Sequence, residues 1–223
     1  MSVLRVSGAI FKSHKYLALP RVSCGLLSTI IAFGPAGMLA AFAEDSSQLQ
    51  KVAPSAPLLI DTSRFCDSAQ HWRHIRDTNR VIQVLPEQPA YAPERVREIA
   101  ANILLFQRDN GGWPKDYDML AVLTEEQKAS IRAPKGRNDT SFDNHNLHSQ
   151  VDYLARAFAA TGDASYRDAC VRGFDFMVAA QYPNGGFPQR HPNPKGYSAH
   201  ITFNDGVMLG ILGVLKDAAW IVS

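Results

Sequence analysis

Apolar residues recur along this chain at the spacing of helices. The first clear run approaches the i, i+3, i+4, i+7 pattern of an amphipathic helix, with apolar side chains at Val96, Ile99, Ala100, Ile103, Leu104 and Phe106. No segment alternates apolar and polar residues for long enough to propose a sheet. The pattern therefore predicts an all-α fold.

Four further helices are predicted downstream. Thr124 with Gln127 makes a capping box for a short helix that reaches about Ile131. Gly162 stops the next helix, and Asp163 caps the one after it. The approximate spans are 124–131, 151–161, 163–181 and 207–218. Upstream, residues 67–80 are too polar to be core, and the apolar residues 81–85 form either a short strand or an extended strap.

The same phrase occurs twice in the chain. Residues 107–114 spell QRDNGGWP and residues 181–188 spell QYPNGGFP. Each copy follows an apolar helical run and precedes a second shared phrase, SFDN at 141–144 and TFND at 202–205. The first copy is longer, because a short helix and the sequence APKGR are inserted in it. Repeated helix pairs of this kind are typical of stacked αα-hairpins.

Stacked hairpins predict a helical toroid or solenoid. Two hairpins and a flank cannot close a toroid, which needs several, so we expect residues 58–223 to be the N-terminal part of an α/α toroid. The fold expected from the repeat is thus an incomplete α/α toroid.

The N-terminus has the sequence pattern of a targeting signal. Basic residues precede an apolar stretch at 22–43 that ends in Ala-Phe-Ala before Glu44, which predicts a signal peptide over residues 1–43 and a secreted or periplasmic protein. The alternative is an uncleaved membrane anchor. Residues 44–57 are polar and rich in Ser, Pro and Ala, which predicts a flexible lead-in.

Composition excludes few partners. The formal net charge is +2 with both signs interspersed, so we expect no nucleic acid, no membrane after cleavage of the signal, and a monomer. Cys66 and Cys170 either pair in an oxidising compartment or remain two thiols. Neither lies in a CxxC motif, which argues against a thiolate zinc site.

The acid and amide pairs are the first candidate site. Equivalent loops of stacked hairpins gather at one face, so Asp143 and Asn144 should lie near Asn204 and Asp205. Their oxygens are ligands that Ca²⁺ accepts. The alternative is that these residues only cap the helices that follow them, each with a phenylalanine staple.

Other candidates surround the pairs. Trp113 and Phe187 are predicted to fill gaps between hairpins, and polar groups after them, such as Lys115, Gln189 and Arg190, beside an exposed aromatic would suit a carbohydrate. The loop at 191–202 brings Lys195, Tyr197 and His200 toward Asp205. His145 and His148 have the spacing of a transition-metal pair.

Taken together, NGGWPK, FDN, QVDYLARAFAATGD, AAQYPNGGFPQ and KGY…HITFND resemble the family 10 polysaccharide lyases, the pectate lyases with an α/α-toroid fold. The resemblance covers about residues 92–219. It implies cleavage of de-esterified polygalacturonate, an acidic polysaccharide, by calcium-assisted β-elimination. A cation on the uronate carboxylate acidifies the C5 proton, and an arginine acts as the base.

The resemblance also implies site residues. It assigns calcium to Asp143, Asn144 and Asp205, and the substrate cleft to Lys195, Tyr197, His200 and Asn204. Two departures stand out. The family often has a second acid where this chain has Gly206, and its basic arginine lies downstream of FND, beyond Ser223, so the catalytic residue is unknown and we expect this chain to be inactive alone.

Two other functions are compatible with the sequence. The chain could be a non-catalytic or degenerate module that binds acidic polysaccharides. It could also be another α/α-toroid enzyme, such as a glycoside hydrolase in which Asp143 and Asp205 serve as the paired acids.

Overall fold

The structure is a computed structural model that describes residues 58–74 and 81–222, with side chains as far as residue 217. The predicted signal peptide or anchor (1–43) and the predicted lead-in (44–57) lie outside the described residues. Within those residues, no helix combines the length and the apolar character that crossing a membrane requires.

The described residues form six α-helices joined by long loops, and they contain no strand, only isolated bridges. The all-α prediction is therefore confirmed. Residues 81–85 do not form a strand, and the first two of them lie in a bend. The helices are α1 (Cys66–His74), α2 (Val96–Phe106), α3 (Glu125–Arg132), α4 (His148–Thr161), α5 (Ala164–Ala180) and α6 (Val207–Val222).

Local sequence signals set the helix ends as predicted. Thr124 accepts from the backbone of Gln127, whose side chain accepts from Thr124 N in return, so α3 opens with the predicted capping box. Gly162 ends α4 in the left-handed conformation, with φ of 70°. Asp163 then accepts a hydrogen bond of 3.0 Å from the backbone of Ser165 and caps α5.

Helix α4 lies at the centre of the fold, because α2, α5 and α6 all pack against it. Its apolar face buries Val151 and Leu154. The polar segment at 67–80 also contributes to the core, contrary to the prediction. Trp72 of α1 is 1% exposed, and its indole nitrogen donates to the carbonyl of Ile82 over 3.1 Å. One large aromatic side chain anchors an otherwise polar helix.

The two copies of the repeated phrase fold alike. In the first, Arg108 N donates to Gly112 O over 2.8 Å, and Gly112 N donates to the Asn110 side chain over 3.0 Å. The second copy has the same bonds: Tyr182 N to Gly186 O, and Gly186 N to Asn184.

The glycine that follows each asparagine has a positive φ, 89° in the first copy and 87° in the second, which explains why the phrase needs glycine there. The repeat predicted from the sequence is a structural duplication.

The two cysteines of the described region are not paired. Cys66 is exposed and Cys170 is buried. The Cys170 thiol contacts the Val151 carbonyl at 3.4 Å, and burial raises its pKa to about 12. Of the two alternatives left by the sequence, separate thiols are correct here.

Candidate functional site

The first acid and amide pair lies in a loop held between the two repeated turns. Ser141 N donates to Trp113 O of the first turn over 3.1 Å, and Phe142 N donates to Gln189 O after the second turn over 2.9 Å. The Asn146 amide donates to Trp113 O over 2.8 Å. Both repeats therefore fix the backbone that carries Asp143.

Neither acid and amide pair caps a helix through a side chain. Helix α4 begins at His148, preceded by Leu147 at φ 72°, and no side chain caps it. The short 3-10 turn at Asn204–Gly206 ahead of α6 has no side-chain cap either. The capping interpretation is wrong, because the loop winds through left-handed backbone at Asn144 (φ 54°) and delays the helix start.

Asp143 is buried and has a partner at each carboxylate oxygen. Lys115 donates to Oδ2 over 3.0 Å and Gln189 donates to Oδ1 over 2.8 Å. Burial acts to lower the pKa of Lys115, but the hydrogen bond to Asp143 and the charge of Asp116 outweigh it, so the pKa is raised. Lys115 is therefore a firmly charged counter-ion inside the site.

Asp205 of the second repeat meets Asp143 of the first, as the duplication predicts. His145 N donates to the Asp205 carbonyl over 3.0 Å. Burial raises the pKa of the Asp205 carboxyl, and a hydrogen bond shared with Asp143 raises it further, although the hydrogen bond from Asn204 acts the other way. Two neighbouring carboxylates repel each other, and a bound cation would relieve that repulsion.

A third acid, which the sequence interpretation missed, completes this group. Asp116 is buried and accepts a hydrogen bond of 2.9 Å from the Asn144 amide. Lys115 lies 3.6 Å from its carboxylate, and His71 of α1 lies 3.8 Å away. The signal was present in the sequence, since an acid directly follows NGGWPK, but only the fold turns that side chain toward Asn144.

The loop before the second pair is more open. Tyr197 is 61% exposed, and its hydroxyl donates to the Asn204 side chain over 3.1 Å. Asn204 donates in turn to Asp205. Lys195 lines the cleft described below, whereas His200 is exposed and does not line it. The structure thus links Tyr197 and Asn204 to Asp205 by hydrogen bonds, places Lys195 in the cleft lining, and leaves His200 outside that lining.

The two histidines near the start of α4 pack onto glycines. Their rings stand edge to face, 5.6 Å apart. The His148 ring is buried against Gly210, neither ring nitrogen has a hydrogen-bond partner, and burial lowers its pKa to about 3. Among the described residues no group of three His, Cys, Asp or Glu is arranged to hold a metal, so nothing supports the transition-metal interpretation.

The aromatic residues of the repeated turns are structural. Trp113 and Phe187 are buried, and the Trp113 indole donates to the Ile103 carbonyl over 2.7 Å. They fill gaps between helices as predicted, but the expectation of an exposed aromatic at this position is wrong. The exposed aromatics near the site are Tyr197 and Phe203, the latter 70% exposed.

A cleft of about 570 Å³ opens beside the acid group. One side belongs to the inserted segment of the first repeat and the other to the loop after the second turn. Its lining residues are Val81, Pro114, Lys115, Asp116, Arg137, Asn138, Asp139, Thr140, Ser141, Arg190, Pro192, Asn193 and Lys195. A polar, largely cationic cleft of this size suits an acidic ligand.

The oxygen atoms of the two acid and amide pairs are of the types that a hard cation binds. Asp143 and Asp205 offer carboxylate oxygens from separate loops, and Asn144 and Asn204 add amide oxygens, the ligand types that Ca²⁺ takes. Lys115 now neutralises Asp143, so a divalent ion would take over the role of that ammonium group. The close approach of the Asp143 and Asp205 side chains, from equivalent loops of the two repeats, is the observation that favours a cation here.

The sequence profile of the family described as pectic acid lyase matches residues 107–223, which is more than half of the chain. No curated protein matches. Among solved structures, the family 10 polysaccharide lyase from Cellvibrio cellulosa is 34% identical with a TM-score of 0.49. A mutant of that lyase in complex with trigalacturonic acid gives the same values.

In both structures the match covers 56% of this chain and 36% of the other chain, so the chain aligns with little more than a third of their length. The family match contains both acid and amide pairs, both repeated turns and the left-handed loop ahead of α4. The chain belongs to the pectic acid lyase family.

Proposed function

We propose that this protein acts on de-esterified polygalacturonate as a pectate lyase, cleaving it by calcium-assisted β-elimination. The observation that carries the proposal is the meeting of Asp143 and Asp205, from equivalent loops of the two repeats, next to Lys115, which lines a cationic cleft. Membership of the pectic acid lyase family supports the same reaction.

The cation would be held by Asp143, Asn144 and Asp205. Bound there, Ca²⁺ would neutralise the uronate carboxylate and so acidify the C5 proton. The protein's own contribution is a preorganised set of oxygens, because the repeated turns fix the Asp143 loop by backbone hydrogen bonds.

The cleft would bind the uronate chain. Lys115 and Lys195 line it with their ammonium groups, and Tyr197 and Asn204 lie beside Asp205. His200 is expected to contribute least, because it is exposed and outside the cleft lining. We assign the proton-accepting role to no residue of this chain.

A glycoside hydrolase is disfavoured by the acid pair itself. The two carboxyls of a retaining glycosidase stand about 5–5.5 Å apart, and those of an inverting enzyme are further apart. The carboxyls of Asp143 and Asp205 interact directly with each other, which is a closer approach than either arrangement.

Binding of acidic polysaccharide without cleavage is the second candidate. The cationic lining of the cleft favours this candidate, because it accounts for binding of a polyanion. Cleavage needs in addition a proton acceptor, and none is assigned.

One experiment separates the candidates. The protein is incubated with polygalacturonate and calcium, and the absorbance of the unsaturated product is followed, with EDTA as the control and Asp143→Asn as the matched variant. Absorbance that rises only with calcium and only without the substitution supports the lyase. Calcium-dependent binding without product supports the binding module, and a protein that neither binds nor cleaves contradicts both.

A further inference from the structure

The cleft beside the acid group has two walls, and each carries an arginine to which the proposed function gives no role. One is the segment at 133–140, inserted in the first repeat only, which contributes Arg137. The other is the segment at 190–195, which contributes Arg190 and Lys195. Because Lys115 and Asp116 also line the cleft, it is continuous with the acid group.

The inserted segment is anchored firmly to the fold. The guanidinium of Arg108 donates to both oxygens of Asp139, each over 2.8 Å, and its side chain is fully buried. Lys135 donates to carbonyls at the end of α2, including that of Gln107 over 2.6 Å. Asp109 N donates to Lys135 O over 3.1 Å. Arg137 therefore projects from a held loop.

The opposite wall is anchored as well. The backbone of Arg190 pairs with Ser141 in an isolated antiparallel bridge, and Gln189 N donates to Ser198 O over 2.9 Å. Thr140 donates to the carbonyl of His191. Both walls thus fix their backbone before any ligand arrives, which lowers the entropic cost of binding.

The acids of the cleft are already engaged, whereas three of its cations are not. Asp139 pairs with Arg108, and Asp116 is contacted by Lys115 and by the Asn144 amide. Among the described residues, the side chains of Arg137, Arg190 and Lys195 form no ion pair. The charge of Arg190 also acts on Lys115 as a repulsive neighbour.

Unpaired guanidinium groups along a fixed cleft suit a ligand with regularly repeated carboxylates. A guanidinium binds a carboxylate through two parallel hydrogen bonds, which adds geometric selectivity to charge attraction. A methyl ester has lost the charge and one of the two acceptor oxygens, so a guanidinium discriminates against it.

We propose that Arg137 and Arg190 bind the carboxylates of uronate residues that lie away from the Asp143 and Asp205 pair, and so extend the substrate site along the cleft. This inference rests on the proposed function. The two arginines then set the length of de-esterified chain that the protein recognises, while the acid pair governs a single uronate residue.

The test is binding of oligogalacturonates of two to six residues to the full chain, measured by calorimetry in calcium. Arg137→Gln and Arg190→Gln are compared with Arg132→Gln, which removes an exposed arginine of α3 outside the cleft lining. We expect each cleft substitution to raise Kd for the hexamer about 3- to 10-fold, with little effect on the dimer. With partly methyl-esterified hexamer, the cleft variants and Arg132→Gln should have nearly the same Kd.

The outcomes are distinguishable. If the unaltered protein binds no oligogalacturonate, the proposed function fails and this inference with it. If it binds, but the cleft variants match Arg132→Gln at every length, the inference alone is overturned. An equal loss for dimer and hexamer also overturns it, because a general loss of charge would act on both. Circular dichroism of each variant confirms that its fold is retained.

Discussion

Gly206 lies against the imidazole of His145, so that a Cβ atom on Gly206 would stand 2.5 Å from Nδ1 and 2.7 Å from Cε1. The same glycine has φ of 69°. The backbone ahead of α6 thus packs directly on the loop ahead of α4. The polysaccharide lyases that the chain resembles often have a second acid at this position, and here a side chain would meet the imidazole of His145.

Replacement of Gly206 should therefore destabilise the fold. Gly206→Ala combines a left-handed backbone with a steric clash, and we expect a loss of about 2 kcal/mol or more in the free energy of unfolding. Urea denaturation measures it. Gly213→Ala is the control, because a Cβ atom on Gly213 of α6 would meet no other atom within 4 Å, and alanine there should stabilise the helix by about 1 kcal/mol. Equal effects of the two changes would contradict the packing argument.

The contribution of Asp205 to the free energy of unfolding should fall as the pH rises, which is the opposite of the usual behaviour of an aspartate. Its folded pKa is raised above the ordinary 3.8, so the fold favours the protonated carboxyl. Its stabilising contribution is complete below pH 3.8 and is lost as the pH rises through the folded pKa. As the pH rises from 4 to 7, the melting temperature of Asp205→Asn should increase by a few degrees relative to that of the unaltered protein.

Calcium serves as the control for that measurement. If the cation binds at the acid pair, it should stabilise the unaltered protein at pH 7 and leave Asp205→Asn almost unchanged. A variant that loses stability steadily as the pH rises would contradict the predicted sign.

His148 should have the opposite effect on acid stability. Burial lowers its pKa from 6.5 to about 3, so the unfolded chain takes up a proton first as the pH falls. The contribution of this group is complete above pH 6.5 and is lost as the pH falls toward 3. Relative to His148→Leu, the unaltered protein should lose up to about 1.4 kcal/mol per pH unit in this window.

The control for this prediction is His74→Gln, which removes an exposed imidazole at the end of α1. Its stability curve should run parallel to that of the unaltered protein. If His148→Leu also runs parallel, the buried imidazole is not the source of the acid sensitivity.

The pair of Arg108 and Asp139 should stabilise the inserted segment. Asp139→Asn leaves the buried guanidinium of Arg108 without its counter-charge, and we expect a cost on the order of 2–3 kcal/mol. Faster limited proteolysis within residues 133–140 should accompany it. Glu98→Gln, which breaks the exposed pair with Arg95, is the matched control and should change stability little.

Sequence patterns predicted the helices and the duplication well, because caps and glycines act locally. Thr124, Asp163 and Gly162 fix the ends of their helices through contacts within a few residues. The phrase NGG[WF]P encodes one turn whose hydrogen bonds lie almost entirely inside it. The meeting of Asp143 with Asp205 also followed from the repeat.

The missed features depend on contacts distant in the sequence. Trp72 is buried because Ile82 and the core enclose it, although its helix is polar. Asp116 joins the site only because Asn144 reaches it across 28 positions. The capping prediction failed because left-handed residues after Asp143 shift the start of α4, and local preference for Asp or Asn does not report such a shift.

Lys115 offers one more test. Lys115→Gln removes the ammonium group that now neutralises Asp143. We expect calcium to bind this variant more tightly and oligogalacturonate to bind it more weakly, by about 3- to 10-fold in each case. Calorimetry with each ligand alone measures both. A shift of the two affinities in the same direction would contradict the role of Lys115 as an internal counter-ion.

The position of Lys115 has a thermodynamic consequence. Its ammonium group contacts Asp143, and the same side chain lines the cleft. Binding of a cation at the acid pair and binding of an anion in the cleft therefore both involve Lys115. A divalent ion that takes Asp143 releases that ammonium toward the cleft, where it attracts an anion. Linkage then requires reciprocity: the polyanion raises the affinity for the ion by the same factor as the ion raises the affinity for the polyanion.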